Sequence, residues 1–511
     1  MVEQKINKYV EEVMTKRRFD TSVLKMEKKE RLDWEELRKT ASDLFLKIYY
    51  MKKFKKICVL YDPDVDGLYS GYVMENYLYR TKAPAELFRF MNKNKIHGYS
   101  DDLRDFVIDN EIDLLFVVDA GSSDIIKFHE NMPDTTVIIL DHHEYDTSIT
   151  LPENSKVTRL NVTDKEELPA LSGCGMTYRF VEEMNKALDI NIEFYEIYVG
   201  ITVLSDSCSM TEPENRYYVA KAYQYNDYNE FLKYFSSKFY YGSNLSLFSF
   251  KLIPYLNALV RMNEVELAMK IVNQMDVRTI GKFIETNMPE IKARQEVEIE
   301  KIINHSQLTE GDGFVVLLRQ PFGEMRTLNG LVANKLMSKF KKSAFVMVLT
   351  DDNDGNRMWK GSFRGLDYTN ESLTKYGFEC HGHPKACGVA TYPKDLRTFC
   401  TDFEYFPEGD NEFDLEMSLS ELNKPENLKA FGEFNEFASG NLNPIRIKLT
   451  DEITPFNLSK KPIGISGKLN EIDFNNYKIT DFSSDRVKDI KELIVTVTLD
   501  KYKGYKIIRN T

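Results

Sequence analysis

The chain has 511 residues, 42% hydrophobic and 29% charged, with 68 Lys and Arg against 80 Asp and Glu and a net charge of −12. This is globular composition, long enough for several domains that each bury a core, so a small disulfide- or zinc-stapled scaffold is excluded. Net acidity also argues against a uniformly basic nucleic-acid coat, while leaving room for a local basic channel beside an acidic metal site.

The opening segment MVEQKINKYVEEVMTKRR mixes charges and lacks the apolar stretch of an export signal. The longest apolar runs, such as LLFVV and VIIL, fall far short of the roughly 18 residues that mark a membrane span. The six cysteines include no C-x-x-C pair, which reads as free thiols in a reducing compartment. The expectation is a cytoplasmic monomer that does not contact membranes.

In chain order, residues 1–56 read as charged amphipathic helices ending in KKFKK. Across 57–220, the strands KICVLYD, AELFRF, DLLFVVDAG, TVIILDHH and KVTRLN alternate with helix-like stretches. That rhythm predicts an α/β unit with a parallel sheet and helices on both faces. Residues 221–310 read as a helical connector closed by the charged helix KARQEVEIEKIINHSQL. A smaller α/β unit is expected over 311–405 (GFVVLL, LNGLVANKLMSKF, AFVMVLT, RMWKGSF). A β-rich, barrel-like unit is expected over 406–511 (IRIKLT, GISGKL, NYKITDF, ELIVTVTL, YKIIR).

Asp62-Pro63-Asp64-Val65-Asp66-Gly67 superficially matches the start of an EF-hand calcium loop. However, Val73 occupies the position that needs a bidentate Glu, and the motif follows a strand rather than a helix. Acids at the carboxyl ends of strands instead lie where open α/β sheets place ligands. Two further core strands end in Asp119 and in Asp141-His142-His143, and an apolar helix-like run ends at Asp206. Carboxylates and imidazoles gathered on one sheet edge would repel without cations, and such ligands favour Mn²⁺ or Mg²⁺ over zinc.

DPDVDG, VDAG, DHH and the Asp206 segment, in that order, resemble the four motifs of the DHH phosphoesterases. GSFRG at 361–365 and His381-Gly382-His383-Pro384-Lys385-Ala386-Cys387-Gly388 resemble the associated DHHA1 substrate domain. Within the superfamily the chain is most similar to RecJ-type single-strand DNA exonucleases. Asn215-Arg216, the Leu171-Ser172-Gly173-Cys174-Gly175 turn and a β-rich tail like an oligonucleotide-binding (OB) fold add to the likeness.

The resemblance implies hydrolysis with two divalent cations, Mn²⁺ or Mg²⁺. One would be held by Asp62, Asp64 and Asp119, the other by Asp66, Asp119, His142 and Asp206, with Asp119 bridging. Asp64 and Asp66 count among the catalytic residues, together with His143 at the scissile phosphate and Asp141 orienting a neighbouring histidine. Ser362, Arg364, Gly382, His383, Asn215 and Arg216 are the expected substrate contacts, and KKFKK at 52–56 and MSKFKK at 337–342 are candidate phosphate contacts.

Departures from the family pattern are His381 and Cys387, each where a smaller residue is usual, and Tyr69 in the first helix. Cys380, His381, His383 and Cys387 also permit a zinc reading. The expected substrate is single-stranded DNA degraded from the 5′ end, with a repair or replication protein as a further partner. The alternatives are a phosphodiesterase of nanoRNA, 3′-phosphoadenosine 5′-phosphate or cyclic dinucleotides, and a non-catalytic replication scaffold on the same fold.

Overall fold

A computed structural model describes the chain except residues 1–5, 31, 94, 165–167, 225–228, 240–242, 274–276, 320–325, 353, 367, 384, 404–412, 441, 455, 464–469, 484, 501–503 and 511. Among the described residues no helix is long and apolar enough to cross a membrane.

The first sheet comprises β1 (Lys56–Tyr61), β2 (Glu86–Met91), β3 (Leu114–Val118), β4 (Thr136–Asp141) and β5 (Val157–Asn161) in the order β2-β1-β3-β4-β5, with every pairing parallel. The inner strands β1, β3 and β4 read as apolar runs because both faces are covered, whereas the edge strands β2 and β5 carry polar and charged residues. Ile57, Val59 and Tyr61 of β1 enter the large core on one face, while Cys58 and Leu60 enter a smaller core on the other. The helices Val65–Arg80 and Gly173–Asn185 pack on the first face, and Asp101–Asp109 and Ile125–Asn131 on the second. The chain runs from β1 outward to β2 and then returns to place β3 on the other side, so the topological switch point lies between β1 and β3. Such a crevice at the strand carboxyl ends is where this architecture binds ligands.

The second sheet has the order β10-β11-β9-β8-β7-β6, with β6 (Gln307–Gly311), β7 (Phe314–Arg319), β8 (Ser343–Asp351), β9 (Arg357–Arg364), β10 (Glu379–His383) and β11 (Ala386–Thr391). Only β7 and β8 pair in parallel, and the helix Asn329–Phe340 supplies their crossover. This sheet starts at Gln307, inside the stretch read as the end of the connector helix, because the helix Met288–Asn304 stops first.

The third sheet joins β12 (Leu415–Met417), β13 (Ile447–Leu449), β14 (Leu458–Pro462), β15 (Asn470–Phe474), β16 (Tyr477–Asp481), β17 (Ile494–Asp500) and β18 (Gly504–Arg509) in the order β12-β13-β17-β18-β16-β15-β14. It mixes parallel and antiparallel pairs, and no bond between its end strands closes it into a barrel among the described residues. The expected GISGKL strand, 464–469, lies outside them.

The N-terminal segment is not an appendage. Val10, Val13 and Met14 of the helix Lys8–Lys16 share one core with the first sheet, the connector helices and Leu415, Val495 and Val497 of the third sheet. The Arg17 guanidinium also donates to both carboxylate oxygens of Asp414, at 2.9 and 2.8 Å. The second sheet has its own cores, one on each face.

Candidate metal centre

Every sequence-predicted acid lands at the switch point. Asp62 follows β1, and Asp64 caps the helix Val65–Arg80, its side chain accepting the Gly67 N–H at 3.0 Å. Asp119 follows β3 with φ 63, a left-handed conformation that costs energy for any residue with a Cβ and is tolerated best by Asn and Asp. Its carboxylate meets His142, which in turn meets Asp206.

The His142 Nε2 lies 3.2 Å from Asp119 Oδ1, 3.2 Å from Asp206 Oδ2 and 3.8 Å from Asp66 Oδ2. Yet His142 Nε2, both Asp119 oxygens and Asp62 Oδ1 are buried without a properly aligned hydrogen-bond partner. Buried polar atoms are nearly always paired. Ligand-type atoms crowded this closely without hydrogen-bond alignment fit a cation, which would supply the missing partner.

The electrostatics agree. Burial, then the neighbouring Asp66, pushes the Asp119 carboxyl well above its ordinary range. Burial and Asp206 lift Asp66 to about 7. Burial opposes charge on His142, but Asp119 and Asp206 outweigh it and hold its pKa well above the usual imidazole value.

Asp66 has a second task. Its oxygens accept the Gly173 N–H at 2.7 Å and the Cys174 N–H at 2.8 Å, which tie it to the N-terminus of the helix Gly173–Asn185. A Cβ on Gly173 would stand 2.2 Å from Asp119 Oδ1, so the glycine of the Leu171–Gly175 turn permits the carboxylate's close approach.

Asp141 points elsewhere. Its Oδ2 accepts from Ser122 N at 3.0 Å, and its Oδ1 from His142 N at 2.8 Å, His143 N at 3.2 Å and His143 Nδ1 at 2.8 Å. Burial raises its pKa, but the bonds to His143 and the charge of both histidines hold it below the ordinary carboxylate value. The histidine it orients is therefore His143. Because a carboxylate only accepts, Nδ1 of His143 carries the proton and Nε2 is left for another partner.

Four residues join that sequence reading did not identify. His97 Nδ1 lies 2.5 Å from Asp62 Oδ2 and, with Asp62 and Asp64, forms a group able to hold an ion. Cys208 forms another with His142 and Asp206. Lys95 and Arg261 flank Asp64: burial lowers both pKa values, Arg261 to about 10, while Asp64 acts against that shift in each. Burial raises Asp64, but Lys95, His97 and the Gly67 amide bring it below its usual value. His97 and Lys95 were hidden in the polar stretch NKNKIHG, and Arg261 at a helix end.

From the second unit, Arg364 comes near enough to Lys95 and Arg261 to lower the pKa of each. Its Nη1 donates to Phe363 O at 2.7 Å, and Gly330 leaves space for Nη2. Ser362 lies two residues before it on the same face of β9. Strand register sets His383 in line with Ala386 and Arg364, and Gly382 opposite Cys387.

The remaining expected residues lie in varied surroundings. Asn215 is buried and donates to Ala170 O at 2.8 Å and Ser209 O at 3.0 Å. Arg216 is 3% exposed and lies over the Phe437 ring at 4.8 Å. Both sit in the helix Pro213–Ala222, and Asn215 Oδ1 and Arg216 Nε and Nη1 are buried without a hydrogen-bond partner. Tyr69 stacks on Tyr198 inside the core, ring centroids 5.0 Å apart. A four-residue zinc site fails on strand alternation, since Cys380 and Cys387 face the core while His381, between them in register, is exposed on the opposite face. MSKFKK begins near the end of the helix Asn329–Phe340, about 10–15 Å along it from the Gly330 that meets Arg364. In KKFKK, Phe54 is buried and Lys52, Lys53 and Lys55 are exposed.

Residues 56–201 match the DHH family, N-terminal domain. Two curated relatives are each 25% identical over 386 residues: the "Putative SPbeta prophage-derived single-strand DNA-specific exonuclease YorK" of Bacillus subtilis (strain 168) and its counterpart in Bacillus phage SPbeta. These matches cover 68% of this chain, which spans only 65% of the relatives' length. The crystal structure of RecJ from Thermus thermophilus in complex with Mn²⁺ shares the fold with a TM-score of 0.73 at 18% identity, covering 99% of this chain and 76% of that one. A structure of exonuclease RecJ bound to manganese matches with a TM-score of 0.56 at 19% identity, over 73% of this chain and 96% of that one. With the motifs gathered on one sheet edge, residues 56–201 are similar to the N-terminal domain of the DHH family, and the chain shares the fold of the RecJ structures.

Proposed function

We propose that the protein is a metal-dependent phosphodiester hydrolase that degrades single-stranded DNA from the 5′ end to mononucleotides, in DNA repair, recombination or replication. The observation that carries this reading is the placement of Asp119 and Asp206 oxygens each 3.2 Å from His142 Nε2 without hydrogen-bond alignment. The names of the two relatives as single-strand DNA-specific exonucleases support the substrate, and the RecJ resemblance supports the direction.

The donor set fits two divalent cations, Mn²⁺ or Mg²⁺. His142 would hold one with Asp119 and Asp206, each 3.2 Å from its Nε2, and Asp66 alongside, and Asp62 and Asp64 the other, with Asp119 shared as the family resemblance implies. When bound, such cations stabilise charge on a phosphate under attack and lower the pKa of water. His143, fixed through Nδ1 on Asp141, presents Nε2 to the scissile phosphate or the leaving oxygen. Lys95, Arg261 and Arg364 form a cationic wall for the strand's phosphates, the arginines as planar forks. Ser362 extends that wall along β9, and His383 stands in register with Arg364 at the end of β10. In this reading residues 57–220 are catalytic, 311–405 hold the substrate, and 406–511 extend the track for a polymer.

The test is incubation with Mn²⁺ and single strands of DNA or RNA labelled at either end, alongside dinucleotides, with His142→Ala as control. Release of mononucleotides from the 5′ end of DNA, absent in the control, is expected. Cleavage of dinucleotides or short RNA alone would replace the polymer reading with a small-substrate phosphodiesterase.

A further inference from the structure

We propose that His97 is a metal ligand, completing the cation position of Asp62 and Asp64, so that each of the two positions carries an imidazole. This deepens the metal-dependent reading above and rests on it.

Three observations carry the assignment. One donor atom each from Asp62, Asp64 and His97 lies within 4.8 Å of the others, a spread that one octahedral ion can span. Asp62 Oδ1 is buried without a partner, although its Oδ2 faces the His97 ring at 2.5 Å. The loop that carries His97 is built rather than loose. Asn92 Nδ2 donates to Gly98 O at 2.9 Å, Ser100 Oγ donates to Asn92 Oδ1 at 2.5 Å, and Tyr99 N donates to Asp124 Oδ2 at 3.1 Å. Gly98, with φ +67, brings the backbone close to Asp124, where a Cβ would stand 2.5 Å from the carboxylate. A histidine serving only as a surface side chain needs no such bracing toward a buried acid.

The ligand chemistry has a consequence. Carboxylates alone suit Mg²⁺ and Mn²⁺ alike, whereas an imidazole favours later first-row metals. An imidazole in each position therefore biases the whole centre toward a transition metal such as Mn²⁺ over Mg²⁺. In the ion-loaded protein the contact between His97 and Asp62 is exchanged for shared ligation.

The experiment loads the full-length protein with Mn²⁺ and reads directly coordinated imidazole nitrogen by pulsed electron paramagnetic resonance, in wild type, His97→Gln and His142→Gln. Two nitrogen contributions are expected, one lost in each variant. His97→Gln should also weaken Mn²⁺ binding at one site by at least about tenfold, the loss typical when even a supporting partner is removed, and Mg²⁺ binding by less. His97 is half-exposed, so the variant should keep its fold, checked by its melting temperature. A nitrogen signal unchanged in His97→Gln and abolished in His142→Gln would overturn the proposal while leaving the metal-dependent reading intact. Failure of the wild type to bind Mn²⁺ would overturn both.

Discussion

Gly173→Ala is the smallest perturbation that reaches the centre without touching a proposed ligand. The added Cβ would stand 2.2 Å from Asp119 Oδ1, 2.5 Å from its Cγ and 2.6 Å from its Cβ. An ordinary contact is more than 1 Å longer, about 3.5–4 Å. The whole Asp119 side chain must therefore move, and its backbone is already held at φ 63 with its N–H on Leu140 O at 2.8 Å. Overpacking of this kind costs about 1–3 kcal/mol. If that cost falls on the metal-competent arrangement, Mn²⁺ affinity drops roughly 5- to 150-fold. Calorimetric titration of Mn²⁺, with a thermal melt to confirm the fold, measures this. Gly175→Ala, whose Cβ would meet Leu171 and Val199 at 3.1 Å or more and no carboxylate, is the control and should bind nearly as wild type. Equal affinities for Gly173→Ala and wild type would refute the shared role of Asp119.

Asp141→Ala removes the acceptor that fixes His143, so activity should fall about 10- to 100-fold with Mn²⁺ affinity much less affected; a parallel loss of both would make Asp141 a ligand instead. Arg261→Ala should raise KM for single-stranded DNA and lower the salt dependence of binding by about one phosphate contact, read from log Kd against log salt. Arg17→Ala breaks the paired bonds to Asp414 and should cost about 1–3 kcal/mol of stability in denaturant unfolding, without altering metal binding. Burial lifts Glu436 from 4.5 to about 7, so its contribution favours folding below about pH 4.5 and is lost as pH rises through about 7. Glu436→Gln should therefore flatten stability against pH across that window, and an unchanged profile would contradict it.

The acids of the centre were legible because each closes an apolar strand or helix, and a parallel sheet gathers strand ends by rule. Asp62, Asp119 and the Asp141–His143 run are set by β1, β3 and β4, so local pattern and topology agreed. His97, Lys95 and Arg261 were not legible, because nothing in their own segments marks them. They reach Asp62 and Asp64 only through the braced loop after β2 and a helix some two hundred residues downstream. Arg216 misled for the opposite reason. An arginine ten residues after an expected metal ligand reads as a substrate contact, but it lies over the aromatic face of Phe437, far away in sequence. The core shared by the N-terminal helix and the third sheet was likewise invisible to segment-by-segment reading.

Everything proposed for the chemistry depends on the unaligned carboxylates and imidazole surrounding cations. Anomalous diffraction at the manganese edge from Mn²⁺-soaked crystals reads this without an intermediary. Two peaks are predicted, one among Asp119, His142 and Asp206 and one beside Asp62 and Asp64, both lost in Asp119→Asn. A map with no peak at Asp119 while Mn²⁺ occupies other sites would contradict it.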